Sequence, residues 1–385
     1  MRKEFLLFSS PALGQEEIDE VVDTLRSQWI TTGPKTQRFA AEFCRYVQAP
    51  AALPLNSCTA GLHVALATAG IGIGHEVITT PMTFAASANV IEHVGAKPVL
   101  VDVAPDTLNI DPARIRKAIN SATKAILVVH YAGHPVEMDE IMAIAGEHNL
   151  QVIEDAAHAL PARYRGHYVG SYSNPTAFSF YATKNLTTAE GGMLTGTPEF
   201  VEKARVFSLH GMSRDAWQRY GKGGSWYYEI VSPGFKYNMT DIQAAMGLVQ
   251  LGKLSDFQAR RCQIVKLYNE AFSDIPALQI PTERNYVEHA WHLYVLRLNQ
   301  ENLTIGRDQF IEELTRRNIG SSVHFIPLHL HPYYRDKYSY RPNDFPVAYS
   351  NYQRLFSLPL HPRLTDNDVE DVIQAVRDIV RSHRR

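Results

Sequence analysis

Ala125-Ile126-Leu127-Val128-Val129 and Gln151-Val152-Ile153-Glu154-Asp155 are two short apolar, β-branched runs separated by a stretch of helical length, Glu137–His148. Strands that read apolar throughout are buried on both faces, which is the condition of parallel neighbours joined by a crossover helix. The alternation extends upstream. Ala51–Leu55, Glu76–Thr80 and Pro98–Asp102 read as strands, and Ala60–Ala69, Ala85–Val94 and Pro112–Ile119 as helices. Downstream, Thr176–Phe180 and Gly192–Thr195 read as further strands, and Pro198–Ser208 as a helix opened by proline in its first turn. The class is α/β, with a mostly parallel sheet flanked by helices.

Near residue 250 the texture changes. A long helical stretch at Leu248–Phe272 leads to a strand-like His292–Leu298, a helix at Arg307–Asn318 and a last helix from Thr365. The expectation is a large domain over residues 1–250 and a smaller C-terminal α+β domain over 251–385, with the N-terminal segment touching the smaller one. Two domains also fit 385 residues at roughly 100 to 200 residues each. Gly221–Tyr237 breaks all periodicity and reads as a long loop of the kind that carries function.

Composition excludes several classes. With 38 Lys+Arg against 40 Asp+Glu the net charge is −2, and no basic tract is present to coat nucleic acid or anionic lipid. Cys44, Cys58 and Cys262 are too few and too scattered for a disulfide framework or a CxxC metal site, which fits a reducing cytoplasm. No apolar run approaches the roughly 18 residues of a membrane helix. A cytoplasmic enzyme without membrane or nucleic-acid partners is expected.

Four separated motifs carry the chemistry. Asn56-Ser57-Cys58-Thr59-Ala60-Gly61 lies where a strand passes into a helix, and unpaired N–H groups there either cap the helix or bind a phosphate. Val152–His158 ends an apolar strand in carboxylates at the edge where open α/β sheets bind ligands. Asp155 there either caps the next turn or meets the nitrogen of a pyridine ring and makes the ring an electron sink. Phe178-Ser179-Phe180-Tyr181-Ala182-Thr183-Lys184-Asn185, followed by Glu190-Gly191-Gly192-Met193, puts a lysine at the end of an aromatic strand. That lysine is either an ordinary surface charge or a buried amine, whose pKa burial lowers so that the unprotonated form makes Schiff bases. Gly234–Asp241 is a polar loop entering a helix, with Thr240 as a candidate N-cap.

In this order the motifs resemble the DegT/DnrJ/EryC1/StrS sugar aminotransferases, pyridoxal 5'-phosphate (PLP) enzymes of fold type I, and the resemblance runs from Trp29-Ile30-Thr31-Thr32-Gly33-Pro34 past Leu358-Pro359-Leu360. It implies that Lys184 holds PLP as a Schiff base, that Asp155 pairs with the ring nitrogen, and that the cofactor alternates with pyridoxamine 5'-phosphate. It further implies a phosphate site at Cys58, Thr59, Ala60 and Ser179, an aromatic contact from Phe84, and a hydrogen bond from His158 to the ring hydroxyl. Asn238 would reach the phosphate of a partner subunit, giving a homodimer with shared active sites.

The implied reaction moves an amino group from L-glutamate, released as 2-oxoglutarate, to a nucleotide-linked keto sugar. His130-Tyr131-Ala132-Gly133, Glu154–His158 and His289-Ala290-Trp291-His292-Leu293 look most like the branch that aminates C4 of UDP-4-keto sugars, as in 4-amino-4-deoxy-L-arabinose and lipopolysaccharide synthesis. The sugar would be met by Thr31, Thr32, Gly33, Tyr181, Asn185, His324 and His329, and Arg214 and Lys222 either meet its diphosphate or only solvate a loop. His324 and His329 could equally be core or surface histidines, and no carboxylate or cysteine at metal spacing accompanies them, so no metal is expected. Trp217, Trp226, Tyr227 and Tyr228 either stack on the base or fill a dimer interface. Two other readings remain: a 3-keto-sugar aminotransferase or other PLP-dependent sugar enzyme, and a non-catalytic regulatory protein on the same fold.

Overall fold

The structure is a computed structural model and describes residues 2–213 and 227–385. Two amphipathic helices come first, α1 (Gln15–Ser27) and α2 (Pro34–Val47), neither of which the strand alternation announces. The sheet domain then runs β1 (Ala51–Leu55), α3 (Cys58–Thr68), β2 (Glu76–Thr79), α4 (Ala86–His93), β3 (Lys97–Leu100), α5 (Pro112–Ala118), β4 (Thr123–Val129), α6 (Met138–His148) and β5 (Gln151–Asp155). A small excursion, β6 (Arg163–Tyr164) and β7 (His167–Tyr168), precedes β8 (Thr176–Ser179), β9 (Gly192–Gly196) and α7 (Pro198–Ser208). Each expected strand and helix of this region forms, with ends shifted by at most two residues.

The seven strands lie in the order β1-β9-β8-β5-β4-β2-β3. β9 pairs antiparallel with both β1 and β8, and the remaining pairs are parallel, so six strands point the same way. Pro54 is tolerated in β1 because that strand is at the edge of the sheet. One face of the sheet is covered by α3 and α7 through Leu62, Leu66, Val201 and Ala204. The other meets α2 and the start of α8 (Asp241–Phe272), where Phe39 and Phe43 pack on Phe178 and Phe180 with ring centroids 5.1–5.7 Å apart.

The chain continues through β10 (Leu278–Gln279), β11 (Val287–Glu288), β12 (Tyr294–Leu298), α9 (Arg307–Arg316), α10 (Pro332–Tyr338), α11 (Pro346–Tyr352), β13 (Leu355–Leu358) and α12 (Asp366–His383). β10, β12 and β13 form a second sheet, and β11 joins β6 and β7. Helix α8 begins at Asp241, seven residues before the expected Leu248, because Thr240 caps it: its hydroxyl accepts from Gln243 N at 3.3 Å. Leu248, Leu251 and Leu254 of α8 belong to the first sheet's core, whereas Ile264, Val265, Tyr268 and Phe272 belong to the core around the second sheet. Position 250 therefore lies inside one continuous helix, and the change of packing partner falls between Leu254 and Ile264. Leu6 joins the second core through a bridge to Ile319.

Gly192, opposite both Leu55 and Ser179 in register, lets β9 lie directly against the turn that starts α3. A Cβ at this position would sit 2.4 Å from the Ser57 carbonyl carbon and 2.6 Å from Cys58 N, whereas one at Gly196 meets nothing nearer than 3.7 Å. Gly192→Ala is expected to destabilise the fold by about 1–3 kcal/mol through overpacking, and Gly196→Ala to leave it nearly unchanged. Thermal or denaturant unfolding of the two variants checks the contrast.

Candidate functional site

Because six strands share one direction, the chain leaves β1, β2, β5 and β8 on the same edge of the sheet. A cavity of about 460 Å³ opens there. Its wall is built from the α3 start (Ser57, Cys58, Thr59), Thr83 and Phe84 after β2, Asp155 and His158 after β5, and Ser179, Tyr181 and Lys184 after β8. His292, His324 and Phe325 close it from the C-terminal part of the chain.

Lys184 is positioned by a tight turn. Phe180 is fully buried and anchors the end of β8, Lys184 N donates to Tyr181 O at 2.9 Å, and Thr188 N returns to Phe180 O at 2.9 Å. Burial lowers the Lys184 pKa to about 8, against smaller opposing effects of Cys58 and Asp155. Strand alternation separates the two carboxylates at the end of β5. Asp155 lines the cavity, whereas Glu154 points to the opposite face and meets His130 Nε2 at 2.9 Å. Val136 N donates to His130 Nδ1, so the His130 proton sits on Nε2 and faces Glu154. Asp155 Oδ2 accepts from Ser87 Oγ at 2.7 Å and Oδ1 from Ala157 N at 3.1 Å. Cys58 Sγ lies 3.8 Å from Asp155 Oδ1 and donates to Ala177 O at 3.3 Å. Burial, with Asp155 next in weight, raises the thiol pKa well above its usual range, so Cys58 stays an S–H.

Three histidine rings surround the amine without adding charge. Burial drives His158 and His292 well below their ordinary pKa and His324 to about 4, with the nearby Lys184 charge pushing the same way. His158 lies 4.4 Å from the His292 ring and is stacked on Phe325. Its Nδ1 is buried with no hydrogen-bond partner among the described residues. A buried ring nitrogen without a partner is costly, so this atom marks a polar group that the cavity is shaped to receive. The implied cofactor fits these residues: an amine for its aldehyde, a carboxylate for its ring nitrogen, His158 for its hydroxyl, and a helix start with Ser179 for its phosphate. Phe84 is 65% exposed despite its size, a flat apolar face at the cavity rim.

Not every expected residue reaches this cavity. Ala60 is buried beside it, and its N–H already donates to Ser57 Oγ at 3.1 Å as part of the helix cap. Asn185 turns away: its amide donates to Leu160 O and Ala290 O at 2.9 and 2.7 Å, tying the lysine turn to the 290 segment. His329 is fully buried elsewhere, against Phe345 and with Nε2 3.2 Å from Pro342 O. Thr31, Thr32 and Asn238 line a separate cavity of about 640 Å³ within the same chain. There Asn238 Nδ2 donates to Thr32 Oγ1 at 2.7 Å, Thr31 O accepts from Asp241 N, and Gly33 is the N-cap of α2. Tyr227 and Tyr228 are exposed and line neither cavity. Arg214, Trp217, Lys222 and Trp226 lie outside the described residues. The structure adds Ser87, His292 and Phe325, whose only sequence signals are a hydroxyl four residues after Thr83 and the apolar, histidine-bearing segments at 289–293 and 323–329. Among the described residues no helix is long and apolar enough to cross a membrane, and no three His, Cys, Asp or Glu side chains gather as a metal site.

Comparison with known proteins identifies relatives of this arrangement. The family model described as the DegT/DnrJ/EryC1/StrS aminotransferase family matches residues 11–377. The chain is 54% identical over 385 residues to an uncharacterized protein of Methanocaldococcus jannaschii, covering 100% of both chains. It is 52% identical to the spore coat polysaccharide biosynthesis protein SpsC of Bacillus subtilis, covering 99% of this chain and 98% of that one. Among solved structures, a putative sugar aminotransferase of Streptococcus pneumoniae in its PMP form superposes with a TM-score of 0.92 at 37% identity, covering 98% and 99% of the two chains. The same protein has also been solved in a PLP form.

A lysine with a pKa of about 8 is an ammonium below that pH and a nucleophile above it. The rate at which the cofactor-free protein condenses with PLP is therefore expected to fall about tenfold for each pH unit below 8 and to level off above it. Stopped-flow absorbance across pH 6–10 checks this. A rate still climbing steeply at pH 10 marks an ordinary exposed lysine instead.

Proposed function

The chain belongs to the DegT/DnrJ/EryC1/StrS aminotransferase family of PLP-dependent sugar aminotransferases, and on that premise we propose that it transfers the amino group of L-glutamate to the C4 keto group of a UDP-linked sugar destined for a cell-surface polysaccharide. The observation that carries the catalytic part is the single cavity at the sheet edge that brings Lys184, Asp155, Ser179 and the α3 start together with three histidines, and burial there lowers the Lys184 pKa to about 8. SpsC, half identical in sequence and named for spore coat polysaccharide biosynthesis, supports the destination.

When bound, PLP supplies an aldehyde that holds the amino group and a ring that takes up an electron pair. The protein's own contributions follow from the site. Lys184 Nζ, free of its proton above about pH 8, removes the proton from the carbon bearing the donor's amino group and delivers one to the sugar carbon in the reverse half. The Asp155 carboxylate accepts the ring N–H, a preorganised charge worth several kcal/mol at the barrier. Cys58 and Thr59 at the α3 start, with Ser179, hold the phosphate through N–H and hydroxyl donors. His158 meets the ring hydroxyl with its unpartnered Nδ1, and Phe84 covers a ring face. Asn238, which with Thr31 and Thr32 lines a cavity away from Lys184, would serve the site of a second copy in a homodimer, as the family resemblance implies. Tyr181 and His324 at the rim face the sugar.

The test uses enzyme converted to its pyridoxamine form and a panel of UDP-, dTDP- and GDP-linked 4-keto and 3-keto sugars, followed by return of the aldehyde-form spectrum and NMR of the product. A UDP-4-keto sugar is expected to restore the spectrum fastest and to yield a 4-amino product. Return with simple 2-oxo acids but with no keto sugar overturns the assignment. Asp155→Ala is expected to lower kcat by about a hundredfold or more while the protein stays folded, measured with the best sugar of the panel.

A further inference from the structure

Asp155 is fixed from behind by a pair of hydroxyls. Ser87 is completely buried in the first turn of α4, and its Oγ donates to Asp155 Oδ2 at 2.7 Å across 68 residues of sequence. A helical serine of this kind commonly bonds the carbonyl four residues back. Here its single proton goes to the carboxylate instead. The 2.8 Å contact between Ser87 Oγ and Thr83 Oγ1 must then run from Thr83 to Ser87, since each hydroxyl has one hydrogen. The result is a directed chain, Thr83 to Ser87 to Asp155, in which each bond polarises the next.

The carboxylate's remaining contacts are on the other oxygen: Ala157 N at 3.1 Å and Cys58 Sγ at 3.8 Å both reach Oδ1. Cys58 has one S–H, which goes to Ala177 O at 3.3 Å, so of about four lone-pair positions on the two oxygens Ser87 and Ala157 occupy two, one on each oxygen. Both oxygens are thereby held by one donor each, which fixes the plane of the carboxylate and leaves a free acceptor direction for a ring N–H in the cavity. We propose that Ser87, with Thr83 behind it, is a positioning residue that orients Asp155 toward the nitrogen of the cofactor ring. This rests on the reading of Asp155 as the partner of that nitrogen.

The test is equilibrium binding to the cofactor-free full chain, using pyridoxamine phosphate, which forms no bond to Lys184, and its 1-deaza analogue, in which carbon replaces the ring nitrogen. Wild type is expected to prefer the natural ligand. Ser87→Ala is expected to weaken pyridoxamine phosphate by about tenfold, the size of one hydrogen bond to a carboxylate, while binding of the 1-deaza ligand stays unchanged. Ser87→Thr, which keeps the hydroxyl, is expected to retain the preference. Equal loss for both ligands, or no loss for either, overturns the proposal. If Ser87→Ala does not fold by thermal melting, Thr83→Val carries the same test: a smaller, two- to threefold loss confined to the nitrogen-bearing ligand supports the relay, and equal or absent loss overturns it. Asp155→Asn separates the two claims. If it abolishes the preference while Ser87→Ala does not, only the positioning role fails. If it leaves the preference intact, the Asp155 assignment fails and takes the positioning role with it.

Discussion

Keeping an amine out of water beside a carboxylate, without letting the two neutralise each other, is the constraint on which this site depends. Burial pushes the Lys184 pKa down, and with Cys58 kept as an uncharged thiol the nearby Asp155 charge pulls it back only in part. Asp155 acts on the amine through space, while its own hydrogen bonds are spent on Ser87 and Ala157. The histidines around the amine are held uncharged by burial, so no further positive charge competes for the cavity. The lysine is thus a usable nucleophile near neutral pH while the carboxylate keeps a free acceptor direction.

The backbone makes this possible through strand direction. With six strands aligned, residues 57–59, 83–84, 155–158 and 179–184 all emerge at one edge, although they are far apart in sequence. The single reversed strand, β9, places Gly192 against the Ser57–Cys58 turn and fixes the helix start that faces the cavity. Helix α8 then links this sheet to the second core, and the C-terminal part of the chain supplies His292, His324 and Phe325 as the cavity's far wall, Phe325 packing on a further cluster with Met82, Ala88 and Leu293.

The strands were legible because parallel strands leave an unmistakable apolar signature, and Asp155 and Lys184 because one ends such a strand and the other closely follows one with an unexpected charge. Helices α1 and α2 were not, since Thr31-Thr32-Gly33-Pro34 reads as a substrate loop; in the fold Gly33 and Pro34 begin a helix whose free N–H groups at Lys35 and Thr36 donate to Asp241 at 3.0 and 2.9 Å. Asn185 and His329 lie beside motifs yet face elsewhere: Asn185 donates to the buried carbonyls of Leu160 and Ala290, and His329 Nε2 meets the carbonyl of Pro342. The contact of Ser87 with Asp155 had no local signature at all, because it joins a helix to a strand end 68 positions away.

The most direct measurement is borohydride reduction of the PLP-saturated protein followed by proteolysis and peptide mass mapping. The peptide containing Lys184 is predicted to gain the mass of the reduced cofactor, and no other lysine peptide to be labelled in stoichiometric amount. An unmodified Lys184 peptide from saturated protein contradicts the account.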